Sequence, residues 1–130
     1  MTVKQLLILR VILVFLLSLA IHDSILAQKN QMVRIAKIEV ASQHLSAYRQ
    51  ALKLQMQTAI TNEPGVLSYH AVADKLHPNH ITILEVYADT LAYQKHIQTK
   101  HFMRYKETVK EMVVSLELID VNTIAFARKE

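Results

Sequence analysis

Cysteine and tryptophan are absent, and Gly65 is the single glycine in 130 residues. Without thiols the chain can form no disulfide, no thiolate nucleophile, no iron–sulfur cluster and no cysteine-tethered haem. The Rossmann fingerprint and the phosphate loop each need more than one glycine, so nucleotide cofactors are not expected. The formal net charge is only +4 and is spread along the chain without a Lys/Arg block or an interleaved aromatic platform, which argues against a nucleic-acid partner. No serine stands in a nucleophile-elbow context. Long apolar runs are missing too. The longest, Leu6 to Ile21, is interrupted by Arg10 and is short of the roughly 20 apolar residues of a membrane span.

What that run does resemble is a leader. Lys4 and Arg10 form a basic start, Val11 to Leu17 an apolar centre, and Ser18-Leu19-Ala20 or Ile25-Leu26-Ala27 a small-residue end. Residues 1–27 are therefore expected to be a signal peptide, with the protein exported to a periplasmic or secreted destination, and membrane anchoring only if the leader is retained. The remainder, 31–130, is the size of one small domain. A monomer that small buries a modest core, so oligomerisation would help it.

Met32 to Ala41 alternates, with Arg34 out of phase with Val33 and Ile35, and reads as a strand. Ser42 is a candidate N-cap for a helix carrying Leu45, Tyr48, Leu52, Met56 and Ala59 on one stripe and ending near Asn62. Pro64-Gly65 breaks the chain. Val66 to Asp74, with Leu67, Tyr69, Ala71 and Ala73 on one face, and Ile81 to Tyr87 then read as a hairpin around Leu76-His77-Pro78-Asn79. Asp89 or Thr90 can cap a short helix through Ile97, and Thr99 a second in which Phe102, Tyr105, Val109, Met112 and Val113 form the apolar stripe. Leu116 to Arg128, alternating around Leu118, Val121, Ile124 and Phe126, reads as the last strand. The order β-α-β-β-α-β is the ferredoxin-like α+β arrangement, with both helices on one sheet face. Because Ile81 and Ile83 alternate against Leu84 and Val86, both faces of the hairpin are apolar. A second copy is the economical cover for the other face.

The histidines His70, His77, His80, His96 and His101 invite a metal reading, but none shows the i, i+4 pairing of the H-E-x-x-H motif, and no metal is expected. His101, in the first turn after a Thr99 cap, would be kept neutral by the helix dipole and could accept a proton. His96, near the end of the preceding helix, would be favoured as the imidazolium, so the two rings would titrate apart. Glu85 lies on a strand that otherwise reads as buried and needs a partner or an opening. It is either a polar group at a pocket mouth or one half of an ion pair with Arg34, Lys37 or a residue across the hairpin. Tyr69, Tyr87 and Tyr105 could present hydroxyls to an aromatic ligand, or be core residues with hydroxyls at the edge.

Three segments carry a family resemblance: Glu63-Pro64-Gly65-Val66-Leu67-Ser68-Tyr69, the strand end Glu85-Val86-Tyr87, and the junction Ala92-x-x-x-His96-x-x-Thr99-x-His101-Phe102. Together they resemble the antibiotic biosynthesis monooxygenase family. The resemblance implies a homodimeric α+β barrel with a pocket between sheet and helices, and a cofactor-free oxygenation of a quinol, anthrone or phenolic small molecule by O2. On that reading His101 is the base, with His96 beside it, and Glu85, Tyr87, Tyr69 and Tyr105 meet the substrate. Lys100 departs from the proline that many relatives carry before the second histidine. The missing tryptophan, and the missing asparagine in the first strand, set the chain apart from the haem-degrading branch. Two alternatives stand beside the oxygenase: a small-hydroxyketone isomerase using the same base, and a noncatalytic dimeric module that binds an aromatic metabolite. The leader makes its own prediction. Intact mass of the exported protein should show loss of the segment through Ala20 or Ala27, and an undiminished mass would mean an anchor.

Overall fold

The computed structural model describes residues 1–129, without the side chains of residues 19–29. Both candidate cleavage segments include side chains outside those described. The chain divides into two compact units, Met1–Asn30 and Gln31–Glu130. In the first, helix α1 (Val3–Lys29) opens on a reciprocal cap: the Thr2 N–H donates to Gln5 Oε1 at 2.9 Å and the Gln5 N–H donates to Thr2 Oγ1 at 3.4 Å. Among the described residues no helix is long and apolar enough to cross a membrane.

The second unit runs β1 (Met32–Val40), a 3-10 turn at Ser42–His44, α2 (Leu45–Asn62), β2 (Val66–Ala73), β3 (His80–Tyr87), α3 (Thr90–His96), α4 (Lys100–Val109) and β4 (Val113–Val121). All neighbouring strands are antiparallel, in the order β2-β3-β1-β4. This is the ferredoxin-like α+β fold, with its second helix split where Thr99 starts a new cap. Ala36, Ile38 and Val40 of β1 and Ile81 and Ile83 of β3 pack under Tyr48, Leu52 and Val109. Burying a side chain of that kind contributes about 1.5–3 kcal/mol, so the helix-covered face is the main source of stability. The opposite face is less protected. Leu84 there is 41% exposed, against 4% for Ile81 and Ile83.

Pairing corrects several details that periodicity misjudged. Ser42 opens the 3-10 turn, and His44 takes the N-cap place of α2 without a side-chain bond. Arg34 shares the core face with Ala36, Ile38 and Val40, because the side chains of a strand alternate and these lie two apart. In β2 the register shifts between Val66 and Ser68, so Leu67 bulges out, 46% exposed, while Val66, Tyr69 and Ala71 point inward. β4 begins earlier and ends at Val121, whose partner Val33 lies at the start of β1; beyond it Ile124 and Phe126 have no ladder to join and stand exposed. Met112 and Val113 accordingly lie past the end of α4.

Gly65 matters here for space. A Cβ on it would come within 2.6 Å of the Ala92 Cβ on α3, and its carbonyl accepts the Ala88 N–H at 2.9 Å. Gly65→Ala should therefore push α3 away and cost about 1–3 kcal/mol in chemical denaturation, with Ala92→Gly in the same chain returning part of the loss.

Candidate functional site

A cavity of about 600 Å³ lies between the core face of the sheet and helices α2 and α4, within the usual range for small-molecule sites. Ile38, Leu52, Ile83 and Phe102 supply apolar wall, and Leu116 and Leu118 of edge strand β4 line its more open side. Against this background a few polar groups stand out: Arg34, Tyr69, Glu85 and Tyr87 from the sheet, and Tyr48 and Tyr105 from the helices.

Their placement follows from local rules. Glu85 and Tyr87 are two residues apart on β3 and so share a face, and Tyr69 is the cross-strand partner of Glu85. Asp89 caps α3 by accepting the Ala92 N–H at 2.7 Å, which aims the last residue of that short helix, His96, back at the sheet. Thr99 caps α4 by accepting the Phe102 N–H at 3.3 Å, while its own hydroxyl donates to the His96 carbonyl at 2.8 Å. Glu63 is the C-cap of α2, beside Pro64-Gly65.

A continuous run of polar contacts results. Glu63 Oε1 lies 2.9 Å from His96 Nδ1; His96 Nε2 lies 2.8 Å from the Tyr69 hydroxyl; the Tyr69 and Tyr87 hydroxyls are 2.8 Å apart; and Glu85 Oε2 is 2.8 Å from the Tyr87 hydroxyl. His101 Nδ1 donates to Gln55 Oε1 at 2.7 Å, and its Nε2 sits 2.7 Å from the same Glu63 oxygen, close but off the hydrogen-bonding direction. Across the cavity the Tyr48 and Tyr105 hydroxyls are paired at 2.8 Å. Arg34 is held by Asp120 at 2.7 Å and lies 4.4 Å above the centre of the Tyr93 ring, a cation–π contact.

Burial sets the protonation of these groups. It pushes the Glu85 carboxyl up from its ordinary value, against the opposing hydrogen bond of Tyr87 and the charge of Arg34. It pushes Tyr48, Tyr69, Tyr87 and Tyr105 up as well, so all four remain phenols at neutral pH. His96 is lowered by desolvation, which outweighs the Glu63 bond. The helix-end argument, which favours an imidazolium at this position, fails because the ring is only 1% exposed.

Of the residues singled out in the sequence, Tyr69, Glu85, Tyr87 and Tyr105 line the cavity. His96 and His101 do not: they stand behind that wall, joined through Glu63, so His101 has no direct face on a molecule held in the cavity. Glu85 is not ion-paired with Lys37, which reaches Glu117, and Arg34 is taken by Asp120. Sequence reasoning gave no place in the site to Glu63, Gln55 or Tyr48, and named Arg34 only as a candidate ion-pair partner of Glu85. For Glu63 the signal was an acid directly before the chain break. For Tyr48 there was none, since it falls on an ordinary helical stripe. His77 and His80 face each other with ring centres 5.6 Å apart at the β2–β3 turn, away from the cavity. Among the described residues no cluster of three or more His, Asp or Glu is arranged to hold a metal.

The antibiotic biosynthesis monooxygenase family model matches residues 32–108. No curated protein matches the chain. Among solved structures, a candidate antibiotic biosynthesis monooxygenase from B. thetaiotaomicron is 45% identical, with a TM-score of 0.75, over 79% of this chain and 98% of that one. A candidate monooxygenase from Lactobacillus acidophilus is 33% identical with a TM-score of 0.68, over 71% of this chain but 44% of that one. A Caulobacter crescentus protein at 18% identity and a TM-score of 0.70, over 80% of this chain and 99% of its own, shares the fold. Model and identity agree with the geometry: the chain belongs to the antibiotic biosynthesis monooxygenase family.

Proposed function

We propose that the cavity binds an electron-rich aromatic, a quinol, anthrone or related phenol, and that the protein oxygenates it with O2 using neither metal nor flavin. The observation that carries this reading is the joined Glu85–Tyr87–Tyr69 cluster on the wall of an otherwise apolar cavity. An aromatic ring gains from the apolar walls, and the hydroxyls and carboxyl give its polar edge partners. The base is Glu85, because it reaches the cavity and the histidines do not; His96, His101 and Glu63 support it from behind.

Deprotonation creates an anion that can release one electron to O2. The substrate radical and superoxide then join at a ring carbon as a peroxide. Cleavage of its O–O bond leaves a carbonyl, so that carbon exchanges two hydrogens for one oxygen atom while the second oxygen departs as water. Arg34, beside the cavity, offers its charge to the anion. In the same reading a second copy covers the exposed outer sheet face around Leu84, and the leader delivers the domain outside the cytoplasm.

Purified protein, stripped of metal and flavin, should take up O2 with a panel of hydroquinones, naphthohydroquinones and anthrones. Glu85→Gln should lower kcat/KM by about 10²-fold or more, the usual scale for a lost general base. The sign with pH is fixed by the acid: the rate rises as Glu85 ionises, at a pH above the 4.5 of an ordinary glutamate. Saturable binding without uptake in air would sink the oxygenase in favour of a binding module, and anaerobic turnover of a hydroxyketone would favour the isomerase. Sedimentation should give twice the monomer mass.

A further inference from the structure

The polar run from Glu63 to Glu85 contains five groups and four contacts, three at 2.8 Å and one at 2.9 Å. Each contact is short enough to require a proton between its two heavy atoms, since lone pairs facing at that distance repel. The available protons can be counted. With both carboxylates ionised and His96 neutral, the imidazole supplies one, Tyr69 one and Tyr87 one, which leaves one contact unfilled. Adding a single proton fills all four.

Three arrangements of those four protons leave both phenols and the ring in ordinary protonation states. One makes His96 an imidazolium between two carboxylates, which burial of the ring disfavours; the other two keep the ring neutral. In the first of these two, Glu85 is the acid: its O–H donates to the Tyr87 oxygen, the Tyr87 hydroxyl to Tyr69, the Tyr69 hydroxyl to His96 Nε2, and His96 Nδ1–H to the Glu63 carboxylate. In the second every bond is reversed. Glu63 is the acid and donates to His96 Nδ1, His96 Nε2–H donates to Tyr69, Tyr69 to Tyr87, and Tyr87 to the Glu85 carboxylate. The two differ by one proton displaced from the cavity wall to the C-cap of α2, with no heavy atom moved.

From this geometry we infer that Glu85, Tyr87, Tyr69, His96 and Glu63 form a proton relay, through which a proton captured at the cavity by Glu85 is delivered to Glu63. The inference rests on the reading of Glu85 as the base of the cavity and says where its proton goes. Starting from two carboxylates, Glu85 takes the substrate's hydroxyl proton. It then breaks that O–H bond toward Tyr87, Tyr87 passes its own proton to Tyr69, Tyr69 to His96 Nε2, and His96 releases the Nδ1 proton to Glu63. One bond forms and one breaks at each intermediate group. Glu85 ends as a carboxylate, ready again, and the negative charge it regains is balanced by neutralisation of Glu63.

Two features agree. Burial raises Glu85, which favours its taking a proton from the cavity, and lowers His96, so the ring hands a proton on rather than keeping it as an imidazolium. Burial also keeps Tyr69 and Tyr87 protonated, as carriers that both give and receive must be. The charged and titratable groups facing the run are Arg34 and Tyr93 near Glu85, Tyr48, Tyr105, Lys106 and Lys110 around the cavity, and His101 beside Glu63. Of these, His101 touches a terminus of the relay: its Nδ1 is engaged with Gln55, and its Nε2, 2.7 Å from Glu63 Oε1, is off the hydrogen-bonding direction and takes no part in the proton count.

The test needs no substrate. In the full-length protein, the carboxyl carbon of Glu85 and the ring nitrogens of His96 are followed by NMR across pH, in the native chain and in Tyr69→Phe. A relay predicts that both probes move with one midpoint in the native protein. In Tyr69→Phe, Glu85 keeps its titration while the His96 response at that midpoint is lost. Tyr87→Phe, which cuts the run one link closer to Glu85, must separate the two probes in the same way. Separate midpoints in the native chain would overturn the relay. So would a common midpoint that survives either cut, because a response passed through space by the field of Glu85 does not need the phenols. Failure here leaves oxygen uptake standing as a separate measurement, and absence of uptake leaves the shared titration intact.

Discussion

The carboxylate of Glu63 is the joint on which the arrangement depends. It caps α2, receives His96 from the end of α3 at 2.9 Å, and lies 2.7 Å from His101 in the first turn of α4. Three helical segments are thereby fixed to one point at the end of the sheet. Taking an ionised group out of water is unfavourable unless it is paired, so the carboxylate selects conformations in which both rings close on it. The two caps, Asp89 and Thr99, make this inexpensive by presetting where each short helix starts. The Thr99 hydroxyl bound to the His96 carbonyl then ties the end of one helix to the beginning of the next.

From that joint, order propagates to the cavity without passing through apolar packing. His96 positions Tyr69, Tyr69 positions Tyr87, and Tyr87 meets Glu85, each by a single hydrogen bond in a region of low polarity where such bonds are strong and orphaned groups are costly. The apolar cluster around Tyr48, Leu52 and Ile83 holds sheet and helices together, whereas the polar run decides what the cavity wall offers. The cluster and the polar run share one layer, and Tyr69, packed against the first and bonded within the second, belongs to both.

Much of this layering could be read in the residues themselves. Pro64-Gly65 marked the entry to β2, the Asp89 and Thr99 caps marked the split helix, and Glu85-Val86-Tyr87 placed an acid and a phenol on one face. Local patterns see such features because their causes are local. They do not see partners. Glu63 and His96 are 33 positions apart, and nothing nearby in the chain says that a helix C-cap faces the end of another helix. The histidines drew attention as chemistry-bearing residues, yet their burial depends on β2 and β3 lying across them. The last strand was misplaced for a similar reason, since alternation continues past Val121 while the strand beside it does not.

The bulge at Leu67 carries a consequence about sequence length. Val66 and Tyr69 are separated by an odd number of positions, and a regular strand would turn them to opposite sides. The one supernumerary residue reconciles the parity, letting Val66 pack at the strand's entry while the Tyr69 hydroxyl reaches His96. Homologous chains that lose or gain a residue between the Pro-Gly break and this tyrosine therefore change more than a loop. Such a change would reassign which side of the sheet each later residue of β2 occupies and turn the phenol away from the buried imidazole.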